Sequence, residues 1–213
     1  MLHSWSYYAN VLTSIVVIVN PVGAIPVFVS LTESQPEDFR HHTAFVCGSA
    51  VAIILAVSVF AGLPILHGFG ISLPAFKVAG GILILFMAIA MMHAKHGDTR
   101  HTEDEAEEAA DKESIGVVPL AMPLLAGPGA ISTVIVFSHE MNSIIDKFIL
   151  TSFCILVGLA VWLVLRLADP IAKMLGRTGI NIVTRLMGLF LTAIAVEFII
   201  GGLKGLLPIL CSG

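Results

Sequence analysis

The sequence predicts an all-α membrane protein: six transmembrane helices arranged as two inverted three-helix repeats, with helices one and four broken. Three observations carry that expectation. The 213 residues are 57% hydrophobic and only 12% charged, and the mean hydropathy of +0.96 lies far above that of a water-soluble domain. The apolar residues fall into six stretches, each near the 20 or so residues that a bilayer core demands of a spanning helix. The second half of the chain can be laid on the first at an offset of roughly 107 positions.

The six stretches run from about Trp5 to Leu31, Thr43 to Leu66, Ala75 to His93, Ile115 to Ser138, Phe148 to Leu167, and Leu186 to Leu206. They form a single polytopic domain, with repeat one over about 5–93, a hydrophilic acidic loop over about 94–113 and repeat two over about 114–207. Nothing resembling a positively charged leader with a cleavage site precedes the first stretch, which reads as a retained helix. An even number of spans puts both termini on one side. Arg40, Lys95, Arg100, Lys112, Arg166, Lys173, Arg177 and Arg185 fall in the loops of one face, against Lys77, Lys147 and Lys204 on the other. The richer face is the cytoplasmic one, so the expected setting is a cell inner membrane with both termini outside.

The repeat rests on four matches in the same order. Gly23-Ala24-Ile25 falls on Gly129-Ala130-Ile131, Pro64-Ile65 on Pro170-Ile171, Gly70-Ile71-Ser72 on Gly179-Ile180-Asn181, and Lys77-Val78-Ala79-Gly80 on Arg185-Leu186-Met187-Gly188. Three spans per repeat is an odd number, so the second copy must be upside down relative to the first. Inverted repeats of this kind are a design of secondary transporters, in which discontinuous helices hold the substrate near the membrane midplane.

The breaks are the chemically suggestive positions. Asn20 lies about 22 Å along a helix that starts near Trp5, and the NPVGAIP run that it opens puts two prolines and a glycine inside an apolar segment, where each proline costs about 3 kcal/mol. In the second half, PLAMPLLAGPGAIS allows a new half-helix to begin with Pro128, whose missing N–H costs nothing at a first helical position. Asn20 can cap its half-helix with its own side chain, whereas Gly127 has none. The second half-helix is therefore open to a ligand. Its N–H groups at Gly129, Ala130 and Ile131 suit an anion or carboxylate, and glycine at 127 and 129 permits close approach. The competing reading is that both breaks are packing kinks, and the stripe Gly48, Ala52, Ala56 and the Gly201/Gly205 pair are read as helix contacts.

The motifs NPVGAIPVFVSLT, FKVAGGILILFMAIAMM, ESIGVVPLAMPLLAGPGAISTVIV and TGINIVTRLMGLFLTAIAVEFI resemble the MarC family of six-span inner-membrane proteins over nearly the whole chain. The resemblance implies transport of small neutral amino acids such as alanine and glycine. It carries over to Asn20, Pro21, Gly23, Pro26, Gly127, Pro128, Gly129 and Ser132. The acidic loop resembles no family motif.

Glu197 is the one acid deep in an apolar stretch, and a carboxylate in hydrocarbon must be neutral or partnered, which makes it a candidate for proton coupling. A structural hydrogen bond or a lysine one or two turns away is the bland alternative. His93, His96 and His101 border the acidic loop and read as solvated rather than as a metal site. Cys47 and Cys154 coincide under the repeat offset, which raises a membrane dithiol carrier, yet they would lie on opposite faces. The expected activity is therefore secondary transport, not enzymatic, with no cofactor and no metal. The expected partners are a small neutral amino acid, protons and the lipid bilayer, with self-association open and nucleic acid disfavoured by the net charge of -4. A non-transporting membrane scaffold or stress-linked accessory protein is the principal alternative.

Overall fold

The computed structural model describes residues 4–32, 35–93, 125–141 and 143–207. The acidic loop, His96, His101, Cys211 and the first part of the fourth apolar stretch lie outside them. The described residues form helices α1 (Trp5–Val19), α2 (Ile25–Thr32), α3 (Glu37–Gly68), α4 (Leu73–Met92), α5 (Pro128–Glu140), α6 (Ile144–Arg166) and α7 (Ala168–Leu206). Four segments are long and apolar enough to cross a bilayer: α3, α4, α6 and Thr178–Leu206 of α7. α1 is apolar but shorter.

Local chemistry explains where these helices start. Ser4, Ser72 and Ser143 each accept a backbone N–H at the N-cap of α1, α4 and α6. The first turns of α3 and α6 carry Glu37 with Asp38, and Asp146, on the positive end of the helix dipole. α7 differs from the sequence expectation. The basic segment around Lys173 and Arg177 is helical rather than a loop, and the chain is helical again from Thr178, so that Arg185 sits within a helix and not ahead of one. One residue, Gly176, departs from helical geometry at φ 60 and ψ 176, a conformation that a side chain would strain.

The four long segments pack as two antiparallel pairs, α3 on α6 and α4 on α7. At the first crossing a Cβ on Gly48 would lie 2.6 Å from the Gly158 carbonyl, and one on Gly158 would lie 2.6 Å from the Gly48 carbonyl. At the second, a Cβ on Gly81 would meet the Ala195 carbonyl at 2.9 Å, and one on Gly188 would meet the Ala88 carbonyl at 3.0 Å. Adding 107 to Gly81 and Ala88 gives Gly188 and Ala195, so these two contacts map onto each other at that offset, which corrects by one position the sequence match of Gly80 with Gly188. Small residues are what permit such approach.

The half-helices fill the middle. α5 is buried on most sides, at Ala130, Ser132 to Val136 and Ser138. Room for it comes from Gly62 of α3, where a Cβ would overlap Ile135 at 2.3 Å, and Gly80 of α4, where one would meet the Ser132 Cβ at 2.6 Å. The Ser138 hydroxyl donates to the Val59 carbonyl at 2.6 Å. Outward faces are as apolar as the interior: Phe45, Ile53 and Phe60 of α3, Phe86 of α4, Phe148 and Ile155 of α6, and Leu189 and Phe190 of α7 are all exposed. In water such a surface would aggregate; in lipid it is the solvated face.

Two ends of the bundle are distinguishable. At one, Tyr7, Lys77, Glu140 and the final turns of α7 come together; at the other, Arg40 at the start of α3 pairs with Asp169 at the start of α7. Cys47 and Cys154 are both buried beside the Gly48–Gly158 crossing, which corrects the expectation that they lie on opposite faces.

Candidate functional site

α1 ends where expected, and the reason lies in Asn20. Its backbone adopts the left-handed conformation at φ 48 while its N–H still donates to the Val16 carbonyl at 2.9 Å. Asparagine tolerates that geometry better than most residues. Its side-chain oxygen then accepts the Gly23 N–H at 3.2 Å, closing a turn whose other bonds run from Ala24 to Pro21 and from Ile25 to Val22. A Cβ on Gly23 would lie 2.1 Å from the Asn20 Nδ2. Glycine is thus required at 23 because the capping side chain folds across it. The same Nδ2 reaches Met91 Sδ at 3.6 Å, tying the break to α4.

The second break is built from less. Gly127 is the N-cap of α5 with no side-chain hydrogen bond, Pro128 follows, and the backbone at Gly127 is extended at φ -66 and ψ 175. Ile131 is satisfied, since its N–H donates to the Gly127 carbonyl at 3.1 Å. This corrects the expectation of three open donors: among the described residues, Gly129 and Ala130 are those left at the start of α5. Gly129 also has a packing role that the sequence does not show. A Cβ there would meet Ile84 Cγ1 at 2.6 Å, so its glycine also serves the packing of α5 on α4.

Between the breaks lies a cavity of about 430 Å³, within the range of small-molecule sites. Asn20, Gly23, Gly127, Pro128, Gly129 and Ala130 line it; Pro21, Ile131 and Ser132 do not. Ser132 is buried against Gly80 instead. Ile18 and Val19 bring the carbonyl end of α1 to the same space, Leu83, Ile84, Met87 and Met91 of α4 form an apolar wall, and Thr184 of α7 adds a hydroxyl. No charged side chain is among the described residues that line it. A negative helix end and a positive helix end thus share one uncharged cavity, an arrangement that suits a zwitterion without a charged side chain. The α4 wall was missed in the sequence because α4 is apolar on all sides and presents no distinguishable face, and Thr184 because its segment reads as a loop between spans.

Glu197 is elsewhere. It is exposed to a second cavity of about 600 Å³ at the end of the bundle that holds Tyr7, Lys77 and Glu140. The sequence expectation of an isolated acid is corrected: Glu197 shares this space with a lysine and a second carboxylate. Lys77 Nζ lies 3.6 Å from Glu140 Oε1, and the Tyr7 hydroxyl donates to Glu140 Oε2 at 3.1 Å. Nearby, the Tyr8 hydroxyl donates to the buried Asp146 at 2.6 Å. These partners are separated by tens of residues in sequence, and no local pattern marks them as neighbours. Among the described residues no group of three or more His, Cys, Asp or Glu side chains is placed to hold a metal.

The family model for MarC family integral membrane proteins matches residues 5–207. The chain belongs to this family. It is 46% identical to the Escherichia coli K12 membrane protein YhcE, with 90% of this chain and 89% of the relative covered. An archaeal relative, a UPF0056 membrane protein of Methanocaldococcus jannaschii, is 45% identical with 94% and 98% covered. A UPF0056 membrane protein of Aquifex aeolicus is 35% identical with 94% of both chains covered. No solved structure matches the chain. It is an integral membrane protein of several apolar helices.

Proposed function

We propose that this MarC family protein is a secondary transporter of small neutral amino acids, alanine and glycine among them, in which two inverted halves alternate around the paired helix breaks. The observation that carries this reading is the uncapped N-terminus of α5 facing the carbonyl end of α1 across an uncharged cavity. The substrate carboxylate meets the Gly129 and Ala130 N–H groups. Its ammonium meets the carbonyls at the end of α1 and the Asn20 side chain. The limited volume and the α4 wall favour short side chains. The antiparallel pairing of α3 with α6 and α4 with α7, and the reciprocal Gly81 and Gly188 contacts, support the inverted relation of the halves.

Solute counterflow in proteoliposomes with labelled alanine, glycine, serine and threonine tests this. Saturable exchange is expected for alanine, and a scaffold would give none. In the same reading Glu197 couples movement to protons, facing Lys77 of α4, Glu140 of α5 and Tyr7 of α1 across its cavity. Glu197→Gln should then keep alanine exchange but lose accumulation driven by a pH gradient. Parent-like accumulation in that variant would remove the coupling role. The eight-to-three distribution of basic residues between the two faces supports an inner-membrane setting with both termini outside. Labelling of single cysteines in the 94–113 loop of intact cells by an impermeant reagent would contradict it. A dithiol carrier is disfavoured by the burial of Cys47 and Cys154 at a packed crossing.

A further inference from the structure

The two cavities are related in a way that neither alone reveals. Adding 107 to Met87, Ala90 and Met91 of the first cavity gives Ile194, Glu197 and Phe198 of the second, and adding 107 to Lys77 of the second gives Thr184 of the first, one position before the Arg185 on which the sequence match lays it. The offset that relates the halves therefore also relates the cavities, which lie toward opposite ends of the bundle. They differ in charge. Where the first has Ala90 and Thr184, the second has Glu197 and Lys77, with Glu140 beside the lysine.

The spacing of these charges is fixed by α7. Lys77 Nζ lies 3.4 Å from where a Cβ on Gly201 would stand and 5.5 Å from the Phe198 ring centroid. Gly201 is one helical turn beyond Glu197, and positions so related have Cβ atoms about 5–6 Å apart. The ammonium of Lys77 thus lies beside α7 about one helical turn beyond Glu197, and both residues line the same cavity. Lys77 is partnered by Glu140 at 3.6 Å, in a pair whose side chains are 24% and 41% exposed, so part of its ammonium still faces the cavity. Asn10 and Ser14 of α1 add neutral hydrogen-bonding groups to the wall.

We infer that this second cavity is a separate binding site for a zwitterionic amino acid, with Lys77 taking the carboxylate and Glu197 the ammonium. The inference takes its substrate class from the transport reading above and uses none of the residues that line the first cavity, while Glu197 and Lys77 are shared with the proton-coupling part of that reading. Glu140 is the partner of Lys77, so Glu197 is the lining carboxylate that an ammonium group can meet, while the carboxylate of the same zwitterion meets the part of the Lys77 ammonium that faces the cavity. A substrate with a single charge would satisfy only one of the two partners.

The test is equilibrium dialysis of labelled alanine against the purified full chain in detergent. The parent should bind two alanines per chain. Ala90→Phe fills the first cavity and should leave one; adding Glu197→Gln to it should weaken that remaining site by about tenfold or more, the scale of a lost charge-assisted hydrogen bond. Lys77→Gln should do the same, and the elution profile of each variant should stay monodisperse. Propionate and ethylamine, which carry one charge each, should displace the residual alanine at least about tenfold less well than alanine itself. The inference is overturned if Ala90→Phe abolishes all binding, or if Glu197→Gln leaves the residual site unchanged; in the first of these the first-cavity reading stands alone. Full parent stoichiometry in Ala90→Phe would instead sink the first-cavity reading and leave this one. A parent that binds no alanine refutes both.

Discussion

The two halves of the molecule agree where helices cross and differ where helices break. At the α4–α7 crossing, Gly81 lies against the Ala195 carbonyl and Gly188 against the Ala88 carbonyl with near-equal clearance. At the breaks, the first half closes its exposed backbone with Asn20, and the second half leaves the start of α5 uncapped behind Gly127. The reciprocal contacts at the crossing are equivalent, whereas the two breaks are not. In the transport reading proposed above, binding a molecule with two unlike ends calls for that inequality, since one helix end is presented to the carboxylate while the other presents carbonyls to the amine. On that reading the departure from the repeat, rather than the repeat itself, marks the working face.

The largest effect should come from disturbing the closed break. Gly23→Ala places a methyl group 2.1 Å from the Asn20 amide nitrogen, and should cost about 3 kcal/mol through overpacking and loss of the capping bond. Denaturation of purified protein in detergent reads this directly. In an Asn20→Ala background the obstacle is gone, and Gly23→Ala should cost under about 1 kcal/mol. Equal costs in both backgrounds would mean that Asn20 is not what demands glycine at 23.

Next in size are the symmetric contacts. Gly81→Ala and Gly188→Ala should each destabilise by about 1–3 kcal/mol and by similar amounts, because each drives a Cβ into a backbone carbonyl that has no room to yield. Gly68→Ala, at a position with nothing within 4 Å, should stay within about 0.5 kcal/mol of the parent. A costly change in one half and a neutral one in the other would break the equivalence of the crossings.

How much of this was legible in the sequence follows from the range of the interactions involved. Asn20, Pro21 and Gly23 act over one turn, as do Gly127 and Pro128, so both breaks could be read from the chain to within a residue or two. The apolar stretches that became α3, α4 and α6 were legible for the same reason, since composition and length decide them. The segment from Ala168 to Arg185 was not: its glycines, arginines and asparagine resemble a loop, and only Gly176 in fact leaves the helix. Gly129 shows a subtler limit. A glycine that packs against Ile84 looks like any other in sequence, and only the position of α4 reveals the contact. The Lys77, Glu140 and Glu197 grouping needs three helices to be placed before it exists at all.

The smallest change in stability, and the most direct test of the comparison, is to give the second break what the first already has. Gly127→Ser adds a hydroxyl at the N-cap of α5, where the extended backbone at φ -66 and ψ 175 accepts any side chain. Serine is among the preferred residues at this position because its oxygen accepts an N–H from the first turn. If the start of α5 is merely unfinished structure, the variant gains up to about 1 kcal/mol and transports as before. If those N–H groups receive the substrate carboxylate, the hydroxyl competes for the same donors. The variant should then unfold at a higher temperature and yet require at least about tenfold more alanine for half-maximal counterflow. Stability and affinity moving in opposite directions is the expected outcome, and it separates a ligand-binding helix end from a damaged one, in which both would fall. Gly127→Ala, which adds bulk without an acceptor, should show neither the thermal gain nor the full loss of affinity. An alanine variant that matches serine in both measurements would assign the effect to volume, and the open N-terminus of α5 would lose its role.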